Sequence, residues 1–235
     1  MIPKFPGVPF GVAVRPDTFN AMTFTLNIAI AAQDVTTIWE AGQSVTLVRP
    51  TFKEVGMKSV PSQAIVAWLA FQPFQSNQIS WSGTGNVYAS TCPLQAGNQI
   101  TPNALCATDA QISFLYTLEN GTFSATPHAG PYLYVENQMA SPAFNFGIVQ
   151  KATVNSADSA SAVNALAILF NEQAYFVPSN TIQIFLSSCR TGGTILQQVA
   201  ENALTIQLTE ENPAANVGFD GSTFFLNPPG QSTAG

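Results

Sequence analysis

A period of two runs through this chain and constrains its fold more than any other feature. In TFTLNIAI, Phe24, Leu26, Ile28 and Ile30 fall on one side, and Thr23, Thr25 and Asn27 on the other. In QISFLYTLENG, Ile112, Phe114, Tyr116 and Leu118 line up ahead of Asn120-Gly121. In ALTIQLTE, Leu204, Ile206 and Leu208 alternate with Thr205, Gln207 and Thr209. Successive side chains of a strand point to opposite faces, so this pattern predicts strands with one buried and one wet face, as in antiparallel sheet. AIVAWLAF (64–71) and LAILF (166–170) are apolar on both faces and predict central strands.

Turn chemistry separates these runs. Gly83-Thr84-Gly85-Asn86, Asn120-Gly121, Gly192-Gly193 and Asp220-Gly221 are hairpin signals. The same chemistry accounts for Asn120-Gly121-Thr122, which would act as a glycosylation sequon only in a secreted protein. Long helical periodicity is missing, and the nearest approach to it is the Ser/Ala-rich NSADSASAVNAL. Short strands with polar turns predict an all-β protein, a sandwich or barrel, of which an antiparallel β-sandwich is the leading expectation.

A weak internal repeat suggests two such sandwiches. FTLNIAIA from Phe24 matches FNFGIVQK from Phe144, and AWLAF ending at Phe71 matches LAILF ending at Phe170. Ser76-Asn77-Gln78-Ile79 then answers Ser179-Asn180-Thr181-Ile182, GTGNVYAS answers TGGTILQQ, and YTLEN ending at Asn120 answers LTEEN ending at Asn212. The shared order predicts an internal duplication, with a first sandwich over 1–125 and a second, shorter one over 126–235.

Composition narrows the function. Apolar residues make up 46% and include 17 Phe, enough for a sizeable core, while charged residues are only 9%. That is far below the roughly 25% of an average soluble protein, so polarity comes from amides and hydroxyls. Net charge is -6, and the seven Lys and Arg are scattered. Nucleic acid and anionic membrane surfaces require clustered positive charge, so neither is an expected partner. The start, MIPKFPGVPFGVAV, is interrupted by Pro3, Pro6 and Pro9 and does not resemble a leader peptide. Three cysteines, an odd number, favour the cytoplasm; secretion with a Cys92–Cys106 bridge is the alternative.

Chemistry-bearing residues are few. One histidine and three dispersed cysteines supply neither a Ser–His–Asp arrangement nor a zinc site, and no phosphate-binding loop occurs. No catalytic residue and no metal ligand is assigned, and the nature of any cofactor stays open. The segment TEENPAANVGFDG gathers Glu210, Glu211, Asn212, Asn216 and Asp220, but its spacing is not that of an EF-hand, and it is expected to be a polar loop.

Two groups are candidate ligand-binding residues. His128 lies at the expected junction of the two units, and Tyr132 and Tyr134 share one strand face with Leu133 and Val135 on the other. Pockets often form between domains, so these three are candidates to line a cleft. Trp81 is expected at an exposed hairpin end, where with Asn77 and Asn86 it would suit stacking on a sugar.

In overall character, all-β with few charges and much Asn, Gln, Ser and Thr, the chain resembles cytosolic fruiting-body proteins of fungi, a group that includes lectins and coloured chromoproteins. The resemblance implies a binding role and transfers no residue function. The leading expectation is therefore a non-enzymatic protein that carries a small uncharged, largely apolar or aromatic ligand, such as a pigment. The alternatives are a glycan-binding lectin and a structural or self-assembling subunit, for which low charge would ease homodimer formation.

Overall fold

Strands form where the alternation predicts them. The structure is a computed structural model that describes residues 22–50, 63–177 and 179–227. The proline-interrupted start lies outside the described residues, as do Lys4, Arg15, Lys53, Glu54 and Lys58. The chain up to Pro127 contributes β1 (Thr23–Ala29), α1 (Ala32–Glu40), β2 (Ser44–Val48), β3 (Gln63–Phe71), β4 (Ser76–Ser82), β5 (Asn86–Ser90), β6 (Ala104–Leu105), β7 (Phe114–Glu119) and β8 (Thr122–Pro127). There follow β9 (Leu133–Asn137), β10 (Phe144–Val154), β11 (Ala157–Ala162), β12 (Ala165–Ile168), β13 (Glu172–Phe176), β14 (Thr181–Ser187), β15 (Thr194–Leu196), β16 (Leu204–Gln207), β17 (Ala214–Phe219) and β18 (Phe224–Leu226). The all-β class holds, with one helix among the described residues.

A 14-stranded sheet has the path β16-β14-β2-β3-β12-β10-β4-β1-β17-β18, with β5, β6, β11 and β15 attached at its sides. A second sheet has four strands in the order β13-β9-β7-β8. Among the described residues two pairs depart from antiparallel pairing: β1 runs parallel to β17, and β7 parallel to β9. The second case follows from the hairpin. β8 returns antiparallel to β7, and the chain then crosses to the far side of β7, so β9 repeats the direction of β7.

Strands from both expected halves alternate in the large sheet. β2 pairs with β14, β3 with β12 and β15, β4 with β10, and β1 with β17. Position 125 lies inside β8. Within the first unit β1 pairs with β4, whereas their counterparts β10 and β14 are not neighbours.

Two further segments differ from expectation for local reasons. NSADSASAVNAL forms a hairpin, because Asn155 and Ser156 both take positive φ (49° and 71°) and turn β10 back along β11. The helix lies instead at AQDVTTIWE, where only Ile38 is buried and Trp39 stays half exposed, its Nε1 donating to Pro73 O at 2.9 Å. Nine residues with one buried position give too short a pattern for periodicity to register.

The segment Glu210 to Asp220 is also not a free loop. β17 runs through it, and the Asp220 carboxylate caps the β17–β18 turn by accepting from the Ser222 and Thr223 amides at 2.9 and 2.7 Å. Those bonds hold the Asp220 carboxyl down to about 2.

The core divides between the sheets. Leu26, Ile28, Leu47, Trp68, Ile79, Ile182 and Ile184 form the main cluster of the large sheet, all essentially inaccessible. A second cluster joins Tyr116, Leu118, Leu133, Val135 and Phe176 of the small sheet to Phe144, Phe146, Leu166 and Ile168 of the large one. The inner face of the small sheet is therefore packed on β10 and β12. Cys92, Cys106 and Cys189 are all free thiols. No helix among the described residues is long and apolar enough to cross a membrane.

Candidate functional site

The small sheet has two differently equipped faces. Its β7–β8 hairpin turns at Asn120 and Gly121, both at positive φ (51° and 77°), the backbone that an Asn-Gly pair favours. Beyond β8 the His128 amide donates to Ser113 O at 2.8 Å, which ties the crossing segment to the start of β7. Along β9, Leu133 and Val135 are buried and Tyr134 and Glu136 half-buried, as alternation requires.

His128, Tyr132 and Tyr134 meet on the outer face. The His128 and Tyr134 rings lie 4.0 Å apart between centroids, and His128 Nδ1 donates to Ala129 O at 2.8 Å. A fourth ring, Tyr175, completes the group, because β13 places it opposite Tyr134. It stacks on Tyr132 at 4.6 Å with 15° between planes, and lies 6.0 Å from Tyr134. Gly130 makes room for this packing: a Cβ there would stand 1.9 Å from the Tyr134 hydroxyl. Thr117 Oγ1 donates to Glu136 Oε2 at 2.9 Å on the same face. Tyr175 was detectable in EQAYF, where alternation sets it apart from Phe176, but no turn or linker signal marks that segment as special.

The structure does not bring Trp81, Asn77 and Asn86 to this face or to any exposed patch. Trp81 is only 3% exposed, the reverse of the hairpin-end position that its flanking serines suggested. Its place in β4 alternates inward with Ile79, and it stacks on Phe24 and meets the edge of Trp68 at 5.4 Å. Its Nε1 has no hydrogen-bond partner. Asn77 is buried and closes the entry to β4, accepting from the Phe74 amide at 2.8 Å and donating to Phe74 O at 2.7 Å. Asn86 is half-buried and donates to Cys106 O at 3.3 Å. The Asn77 and Asn86 amides are thus engaged within the chain, Asn77 Oδ1 also accepting from Asn155 Nδ2 at 3.1 Å.

The inner face of the small sheet borders a cavity against the large sheet. Leu133 and Phe176 line it from one side, Ile148 and Val163 from the other, and Gly83 and Gly85 of the β4–β5 turn edge it. The space between atoms is about 690 Å³ with its mouth included, of which about 70 Å³ admits the centre of a water-sized sphere. One water requires roughly 10–15 Å³ of such volume, so the inner space equals on the order of five waters. That suits a single ring or a short chain.

One wall is polar. Arg49 is 8% exposed and Gln150 2% exposed, and both border the cavity. Arg49 donates to Gln150 Oε1, Ser179 O and Asn180 Oδ1. Gln150 is fixed in turn, its Nε2 donating to Ser82 O at 2.7 Å and Thr84 O at 3.3 Å. The Arg49 guanidinium carbon lies 5.4 Å from the Trp68 ring centroid, and Trp68 Nε1 donates to Gln150 O at 3.3 Å. Burial draws Arg49 down to about 10, which leaves it charged at neutral pH. Its partners among the described residues are all neutral. A buried cation without a counter-charge costs several kcal/mol, and neutral acceptors with an aromatic face offset part of that cost. Nothing in the sequence marks this wall, because Arg49 is one of seven scattered cations and Gln150 carries no local signal.

No protein-family model matches the chain, and no curated protein or solved structure is significantly similar to it.

Proposed function

We propose that this protein is a non-enzymatic carrier of a small, largely apolar molecule, held between the two sheets as in a β-sandwich. The observation that supports this is the cavity lined by Leu133, Phe176, Ile148 and Val163. Apolar surface removed from water contributes about 25 cal/mol per Å², and a preformed space spares the ligand the work of opening one. The inner space favours a single ring over a polycyclic pigment. His128, Tyr132 and Tyr134, expected to line a ligand cleft, point to the opposite face of the small sheet from Leu133.

Calorimetric titration with benzyl alcohol tests this reading. Saturable binding that is lost on filling the space with Ile148→Phe supports it, and absence of binding to the folded protein overturns it.

A second reading, a lectin, draws on the outer-face rings His128, Tyr132, Tyr134 and Tyr175 beside Glu136. A glycan array separates it from the first: glycan binding abolished by Tyr175→Ala but untouched by Ile148→Phe would favour the outer face.

A further inference from the structure

We propose that the cavity selects small apolar monocarboxylates, with the ligand carboxylate seated on the Arg49 guanidinium. This rests on the reading of the cavity as a ligand site and replaces the expectation of an uncharged ligand. Three observations carry it. The cation is buried at the wall of an otherwise largely apolar space. Its described contacts engage only the two terminal nitrogens, and all go to neutral oxygens. A guanidinium has five N–H donors and those contacts occupy three, so the Nε donor and one terminal donor remain for an anion. The orientation of Gln150 contributes as well. Its Nε2 is committed to Ser82 O and Thr84 O, so its oxygen faces Arg49 and holds the guanidinium in place. One positive charge among the described lining residues, in a space of this size, matches one carboxylate on one ring or short chain.

The test compares benzoate with benzyl alcohol, which share a ring and differ in charge, on the full chain by calorimetry. The unsubstituted protein is expected to bind benzoate about 10- to 100-fold more tightly, the range of one charge-assisted hydrogen-bond pair in a desolvated site. Arg49→Met should lose the benzoate preference, the ratio of the two affinities being the quantity compared, while Arg49→Lys should retain part of it. If the unsubstituted protein binds both probes equally, the carboxylate proposal falls and the carrier reading stands. A benzoate preference that survives in Arg49→Met overturns the role of Arg49. If neither probe binds, the carrier reading fails and the proposal with it. Should Arg49→Met not fold, the two affinities of the unsubstituted protein still decide.

Discussion

Gly85 borders the cavity at a place where a single methyl group should be felt. A Cβ on Gly85 would lie 2.6 Å from Ile148 Cγ2 and 2.6 Å from Val149 O. Carbon atoms in contact sit at about 3.5–4.0 Å, so Ile148 would have to retreat by about 1 Å. The Val149 carbonyl has less freedom, because it belongs to β10 in mid-sheet. The Gly85 backbone is held as well, its carbonyl accepting from the Ala110 amide at 2.6 Å. Overpacking of this kind costs about 1–3 kcal/mol, partly offset by about 0.4–1 kcal/mol from the reduced freedom of the unfolded chain.

Gly83, two residues away on the same cavity, is the control. A Cβ there meets only Phe24 Cε2, at 3.8 Å, an ordinary contact. Gly83→Ala should therefore be stabilising by about 0.4–1 kcal/mol. The two variants should differ by about 1–3 kcal/mol, and with a urea slope of about 2 kcal/mol/M their midpoints separate by about 0.5–1.5 M. Tryptophan fluorescence during urea unfolding reads this directly. Equal midpoints, or Gly85→Ala the more stable, would refute the packing of the β4–β5 turn against β10.

The two buried tryptophans of the large sheet should respond differently to Phe. Trp68→Phe forfeits the bond to Gln150 O, while Trp81→Phe removes a donor that has no partner, so Trp68→Phe should be the more costly by about 1–3 kcal/mol in the same urea assay. Gly130→Ala should separate Tyr134 from His128, because the new Cβ takes the place of the Tyr134 hydroxyl; loss of the ring-current shift of His128 by NMR checks it. Asp220 gives a pH prediction. Its folded value, about 2, lies below its ordinary value, so its contribution is complete above about pH 4 and is lost as pH falls towards 2. Asp220→Asn should flatten the dependence of stability on pH in that window, measured by thermal unfolding.

Strand positions were legible because half-buried strands write their burial into the sequence. β1 and β9 bury alternate residues, β7 buries Tyr116 and Leu118 with Phe114 half-buried, and Asn120-Gly121 forms the turn its chemistry favours. Pairing was not legible. Which strand lies beside β10 depends on contacts between residues far apart in the chain, and FTLNIAIA carries no mark that its neighbours are β4 and the parallel β17. The outer-face rings were partly visible, since Tyr132 and Tyr134 alternate with Leu133 and Val135, but Tyr175 joins them only through pairing of β13 with β9. Trp81 misled because serines flank it, while the alternation of SNQISWS, with Ile79 inward, already placed it on the buried side. The cavity wall was hidden most thoroughly, because Arg49 and Gln150 are 101 residues apart and meet only in the folded chain.

A ligand held between the sheets would be seen in a methyl-labelled NMR titration with benzyl alcohol. The methyl signals of Leu133, Ile148 and Val163 are expected to shift together and saturate, with intermolecular contacts from the probe ring to those methyls. Probe contacts confined to the rings of Tyr132, Tyr134 and Tyr175, with the three methyl residues unmoved, would contradict it.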